Sequence, residues 1–247
     1  DYCGPDAFTA LPDQLFRNQG NGTFVEVSTS AGISQAFGAG LGVVTADFNT
    51  DGWIDIYVAN DGDPNQLWIN QQDGTFKDEA LWSGSAVNHQ GQAQASMGVD
   101  AGDFDADGDE DLFMTHLMEE TNTLYTNLGQ GLFADQTIAV GLTNTSGRYT
   151  AFGTGWFDYD NDGWLDLMTS NGAVKTLQPL ARQGDRYPLD QPNQLFRNLA
   201  GKQFTEVSDQ AGAVFQTAAV SRGAAFGDID NDGDTDVLIL NNNGPAQ

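Results

Sequence analysis

Asp103-Phe104-Asp105-Ala106-Asp107-Gly108-Asp109-Glu110-Asp111 is an acidic nonapeptide of the form D-x-[DN]-x-D-G-x-x-D. The same form recurs as DFNTDGWID (Asp47–Asp55), DYDNDGWLD (Asp158–Asp166) and DIDNDGDTD (Asp228–Asp236). Carboxylates packed this densely repel one another, so the pattern makes sense when a hard cation sits among them. Calcium takes roughly six to eight oxygens at about 2.3–2.6 Å, and a tight loop with acids at alternate positions supplies such donors. About four bound Ca²⁺ are therefore expected, one per loop.

The repetition extends well beyond the loops. They start 56, 55 and 70 residues apart. Five residues past each closing aspartate stands Asn60, His116, Asn171 or Asn241. A segment [ND]-x-L-x-x-N appears as Asp13–Asn18, Asn65–Asn70, Asn122–Asn127 and Asn193–Asn198. Six residues beyond its last asparagine comes Phe24, Phe76, Phe133 or Phe204, and eight beyond that Gly32, Gly84, Gly141 or Gly212. A register held this long marks a repeat architecture.

Each unit reads as short strands separated by turns. Ile54–Ala59, Asp111–Thr115, Leu165–Thr169 and Asp236–Leu240 are apolar and of strand length. Gln19–Gly22 and Gln72–Gly74 carry the glycines of hairpin turns. Lys202 replaces the turn glycine of the fourth copy, with Gly201 one place earlier, so that hairpin is expected to differ. No window sustains a helical period. Four strands per unit give an all-β fold, a β-propeller, with repeats at about 13–64, 65–121, 122–192 and 193–247 and a long insertion at 171–192. An EF-hand would need a glutamate at position 12 and flanking helices; position 12 here is Val58, Met114, Thr169 or Ile239.

The loops resemble the calcium hairpins of integrin-type propellers. That resemblance implies side-chain ligands at positions 1, 3, 5 and 9 and the carbonyl of position 7. The implied sets are Asp47, Asn49, Asp51, Trp53 and Asp55; Asp103, Asp105, Asp107, Asp109 and Asp111; Asp158, Asp160, Asp162, Trp164 and Asp166; Asp228, Asp230, Asp232, Asp234 and Asp236. Asn49 supplies an oxygen without a charge, which makes the first site the weakest. Tyr2–Pro5 (YCGP), L-F-R-N, G-T-F, the acidic loops and the closing Asn241–Ala246 (NNNGPA) together resemble the cartilage acidic protein / ASPIC–UnbV family, built on FG-GAP/VCBS-type repeats. The resemblance implies a seven-bladed calcium propeller whose later part these four blades form. A self-closed four-bladed disc is the alternative.

The formal net charge is −26, from 35 acids and 9 bases. Four calcium ions would leave about −18, by the +2 each carries. Such a surface repels nucleic-acid phosphates and anionic lipid, so no nucleic-acid partner is expected. No apolar run of about 18 residues exists to insert into a membrane. Asp1 with no leader fits a mature or excised segment, and acidity with weak-affinity calcium loops fits a secreted, cell-surface or periplasmic setting. Cys3 reads either as a free thiol or as half of a disulfide. Asn21 and Asn144 head glycosylation sequons.

Chain reversal at each turn puts the acidic loops and the glycine hairpins on one face. The opposite face, including 171–192 with Lys175, Arg182, Arg186 and Tyr187, is the expected contact surface for a protein or glycan partner. His116 reads as a structural variant of the repeat asparagine, and His89 as an isolated loop residue. Trp53 and Trp164 read as packing residues, with a sugar-stacking platform as the other option. No nucleophile elbow, zinc signature or phosphate loop appears, so the expectation is a non-enzymatic interaction or adhesion module. A carbohydrate-binding propeller and, behind it, a polysaccharide-cleaving enzyme are the alternatives.

Overall fold

The structure is a computed structural model, and it describes residues 4–185 and 188–247. Asp1, Tyr2, Cys3, Arg186 and Tyr187 lie outside the described residues, and with them the thiol of Cys3 and part of the 171–192 insertion.

A first hairpin joins β1 (Phe16–Asn18) to β2 (Phe24–Glu26). Three antiparallel four-stranded sheets and a last strand pair then follow in chain order. The first sheet holds β3 (Gly40–Ala46), β4 (Asp55–Asn60), β5 (Gln66–Asn70) and β6 (Phe76–Asp78). The second holds β7 (Val99–Gly102), β8 (Asp111–Met114), β9 (Thr123–Asn127) and β10 (Phe133–Asp135). The third holds β11 (Ala151–Phe157), β12 (Asp166–Asn171), β14 (Gln194–Asn198) and β15 (Phe204–Glu206). Within the insertion, β13 (Gln191–Pro192) leaves this sheet to pair with β16 (Ala218–Ala219). The last pair is β17 (Ser221–Gly227) with β18 (Asp236–Asn241). Helices are single turns: α1 (Ser28–Ala31), α2 (Ala80–Ser83), α3 (Thr143–Ser146) and α4 (Gln178–Arg182).

The all-β expectation holds, and the arrangement is compatible with consecutive propeller blades. The sheets are out of phase with the sequence units: each unit starts on the third strand of one sheet and ends on the second strand of the next. Three sheets are thus complete, and the chain adds the outer half of one sheet at its beginning and the inner half of another at its end. No backbone pairing joins β1–β2 to β17–β18 among the described residues, so no sheet closes the array into a four-bladed disc.

The core lies between sheets rather than inside any one. Phe48, Tyr57, Leu67, Leu112, Tyr125 and Phe133 cluster between the first and second. Phe104, Phe113, Leu124, Leu167, Phe196 and Phe204, with Trp156, fill the gap between the second and third. Here the repeated phenylalanine acquires a reason. The residue at loop position 2 packs on the phenylalanine of the next sheet, Phe48 on Phe133 at 6.0 Å and Phe104 on Phe204 at 5.7 Å between ring centroids.

The repeated glycine serves the same contact. Gly84 has φ +84, and a Cβ on it would fall 2.6 Å from the Phe133 carbonyl oxygen. Only glycine satisfies both demands. On the innermost strands, Gly42, Gly98 and Gly153 let neighbouring backbones touch; a Cβ on Gly98 would lie 1.9 Å from the Phe152 oxygen. The outer faces of the array lack such cover: Leu41 and Val43 are 58% and 65% exposed, and Ile229 is 70% exposed.

Candidate metal loops

Each nonapeptide links the first two strands of its sheet, and its fold follows from the sequence. Position 4 adopts a left-handed conformation in all four copies (Thr50, Ala106, Asn161 and Asn231, φ 57–61), and position 6 is the glycine that continues the turn. The position 1 carboxylate then accepts two backbone N–H bonds. In the second loop Asp103 takes Asp107 N and Gly108 N, each at 3.0 Å, and Asp47, Asp158 and Asp228 do the same. Position 5 accepts from position 7: Trp53 N to Asp51, Asp109 N to Asp107, Trp164 N to Asp162 and Asp234 N to Asp232.

The closing aspartate is fully buried in the first three loops. Its Oδ2 accepts the N–H of position 2 (Phe48, Phe104, Tyr159, and Ile229 in the fourth loop). Its Oδ1 accepts the N–H of the strand asparagine, Asn70, Asn127 or Asn198. Asp55, Asp111 and Asp166 therefore tie loop to strand before any ion is considered.

The carboxylate oxygens of positions 1, 3 and 9 converge within 4.8 Å in three loops: Asp103, Asp105 and Asp111; Asp158, Asp160 and Asp166; Asp228, Asp230 and Asp236. In the first loop Asn49 stands at position 3, and its amide donates to Asp51 at 3.1 Å. Burial, opposed by the Asn127 and Phe104 N–H bonds and aided by neighbouring Asp105 and Asp107, pushes Asp111 up to about 7. The same causes push Asp166 up to about 6. Asp105 Oδ1 is buried with no hydrogen-bond donor in good geometry. An orphaned carboxylate oxygen beside a buried aspartate whose pKa burial raises is a donor set that fits a hard divalent cation. Such an ion would be held by the carboxylates of positions 1, 3 and 9, and when bound it would supply the positive charge these loops lack.

The position 7 side chains differ in placement. Trp53 is 48% exposed, whereas Trp164 is partly covered and lies against Gly201 of its own sheet's hairpin. His116 is buried, with Nε2 3.0 Å from Thr123 Oγ1 and its N–H on Asn122, in agreement with a structural role. His89 sits on Asp135 at 3.2 Å. The hairpin glycines Gly131 and Gly201 approach Asn49 and Asp105 of the preceding loop, so loops and hairpins do share one face.

Two groups of functional residues were not anticipated. Asn127 and Asn198 each bridge a loop of the preceding sheet to their own sheet, through Phe48 O and Glu110 O and through Phe104 O and Leu165 O respectively. Arg197 reaches Asp160 at 2.8 Å and Asp162 at 3.0 Å. The signal for both lies in the [ND]-x-L-x-x-N segment, whose last asparagine recurs in every copy and whose open position before it is Arg197 in the fourth.

The FG-GAP-like repeat family matches the chain over residues 6–58, 47–114, 103–169 and 184–239, which leaves out 170–183 of the insertion and the two ends. Cartilage acidic protein 1 of Mus musculus is 34% identical over 182 residues, covering 69% of this chain and 26% of that protein. Cartilage acidic protein 1 of Xenopus tropicalis is 31% identical over 178 residues with the same coverage. Among solved structures, an Agrocybe aegerita lectin specific for non-reducing terminal N-acetylglucosamine aligns with 94% of this chain and 69% of its own, at 12% identity and a TM-score of 0.44. A Bacillus licheniformis rhamnogalacturonan lyase aligns with 94% of this chain and 44% of its own, at 14% identity and a TM-score of 0.45. Both are too distant to speak to function or blade number. With its acidic loops at the sheet-joining turns, the chain belongs to the FG-GAP-like repeat family and is related to the cartilage acidic proteins, spanning about a quarter of their length.

Proposed function

We propose that this chain is a calcium-stiffened, non-enzymatic interaction module of an extracellular protein. One observation carries the reading: three loops gather carboxylates within 4.8 Å of one another, and the cluster of the second lies against the hairpin of the next sheet at Gly201. Without a counter-ion those acids repel each other at the contacts that hold neighbouring sheets together, so ion binding becomes folding stability. Eighteen of the chain's 35 acids stand in the four loops, where those at positions 1, 5 and 9 already hold the turn.

The sheets are consecutive blades of a larger ring, seven-bladed in the family this chain resembles. The apolar residues on the outer faces, Leu41 and Val43 at one end and Ile229 and Leu240 at the other, support that reading, because in the interior of the array the matching surfaces are covered. The partner, a protein or a glycan, meets the face opposite the loops, with 171–192 contributing. The alternative, a glycan on the loop face itself, rests on Trp53, which is 48% exposed, and a glycan array run with and without calcium separates the two.

The decisive experiment is a melting curve in millimolar calcium and in excess EGTA, with bound metal counted by elemental analysis. The expected result is a clear fall in melting temperature on chelation. Coincident curves and no bound calcium would remove the proposal.

A further inference from the structure

The calcium reading treats the loops as equivalent cages, yet their outer carboxylate oxygens have unlike neighbours. In the first loop, Asp51 Oδ2 accepts neutral amides from Asn49 at 3.1 Å and Gln72 at 3.2 Å. In the second, Asp105 Oδ1 is buried without a donor. In the third, the Arg197 guanidinium lies against both Asp160 and Asp162: Nη2 donates to Asp162 at 3.0 Å, and Nε stands 2.8 Å from Asp160 as an ion pair without hydrogen-bond geometry. The strand position that brings Arg197 there is filled by Ile69 in β5 and Thr126 in β9, neither of which carries a charge.

We propose that Arg197 is a built-in counter-cation that sets the calcium affinity of the third loop. The inference rests on the calcium reading above. The guanidinium engages positions 3 and 5, two of the side chains an incoming ion needs. Calcium entry must either move Arg197 off Asp160 or tolerate a positive charge beside the ion. Either route weakens binding at this loop. The same contact relieves the repulsion between Asp160 and Asp162 when no ion is bound, so the third loop keeps its shape at low calcium. The second loop therefore fills before the third, and the third collapses least on chelation. A module graded in this way keeps the junction between its third sheet and the last strand pair, where the third loop lies, ordered over a range of calcium levels in which other loops loosen.

Terbium tests this directly, because tryptophan sensitises its emission and Trp164 sits at position 7 of the third loop. The Trp164 ring and Trp156 also approach the second loop, so in a Trp53→Phe, Asp105→Ala background of the full chain, with the second loop disabled, emission excited through tryptophan reports the third loop. Arg197→Thr installs the residue that β9 carries at the same place. Removing a unit charge on the order of 5 Å from the ion should lower the half-saturating terbium concentration about tenfold. The melting temperature in EGTA should fall, while that in saturating calcium should not change. Arg197→Lys retains the charge without the guanidinium's fixed reach to both carboxylates and should lie between the two, which keeps the test informative if the threonine variant folds poorly. Saturable emission with equal half-points for wild type and both variants would overturn the role of Arg197 and leave the calcium reading standing. No saturable emission from any of them would overturn both.

Discussion

Asn198 and Phe104 stand 94 residues apart and in different sheets, yet Asn198 Nδ2 donates to the Phe104 carbonyl at 2.8 Å. The same amide donates to Leu165 O at 2.9 Å, and its backbone N–H meets Asp166 at 2.7 Å. One side chain thus joins the second acidic loop to the third. Asn127 repeats the arrangement one sheet earlier.

Asn198→Ala is expected to destabilise the fold by roughly 3 kcal/mol, since it strands two carbonyls in a dry interface. Asn127→Ala should behave alike. Asn70→Ala should cost only about 1 kcal/mol, because its Nδ2 donates one bond at an exposed site, to Ile54 O at 3.1 Å, and reaches no neighbouring sheet. Urea titrations of the three variants check the ranking, and equal losses would show that the bridge between sheets is not what matters.

The innermost strands predict a second contrast. Gly98→Ala puts a methyl carbon 1.9 Å from a backbone oxygen of the next sheet, a clash no rotamer relieves. A loss of about 3 kcal/mol or failure to fold is expected, at the upper end of overpacking costs. Gly227→Ala meets nothing within 4 Å and should be nearly neutral. Thermal melts of both variants decide the matter.

His116 predicts a pH effect. Burial lowers its pKa from 6.5 to about 4. The unfolded chain therefore binds a proton that the folded chain refuses between those values, and stability falls as pH drops from about 6.5 towards 4, by up to about 3 kcal/mol. His116→Asn restores the residue found at positions 60 and 171, whose amides cap Pro64 O and Pro192 O. The difference in unfolding free energy between the variant and wild type should grow in favour of the variant across this window. A constant difference would mean that His116 does not carry the effect.

Calcium affinity at the first loop offers a fourth test. Asn49→Asp restores the acid that the other three loops carry at position 3, so calorimetric titration should show one site tightening several-fold, as an added ligand charge does in calcium loops. An unchanged isotherm would mean that the Asn49 oxygen already serves as well as a carboxylate.

The loops and most strands were legible because their residues act locally. Glycine at position 6 and aspartates at positions 1 and 5 close the turn by themselves, and the apolar run after each closing aspartate forms β4, β8, β12 and β18 within a residue or two of the expected bounds. The phase of the sheets was not legible. Units were drawn from the first strand that repeats, whereas backbone pairing joins β4 to β5, β8 to β9 and β12 to β14 across the unit boundary, and periodicity is the same in either frame.

By itself, then, the sequence determined a repeated all-β chain with four acidic turns and the family to which it belongs, because turn geometry and strand patterning depend on near neighbours. The tertiary structure decided which residues hold one sheet on the next. Phe133, Gly84 and Asn127 recur on a fixed spacing, but their partners Phe48, Phe133 O and Phe48 O are set by how sheets stack. It also decided that Arg197 lies on the third loop, a contact made by side chains 35 to 37 residues apart that no local rule connects.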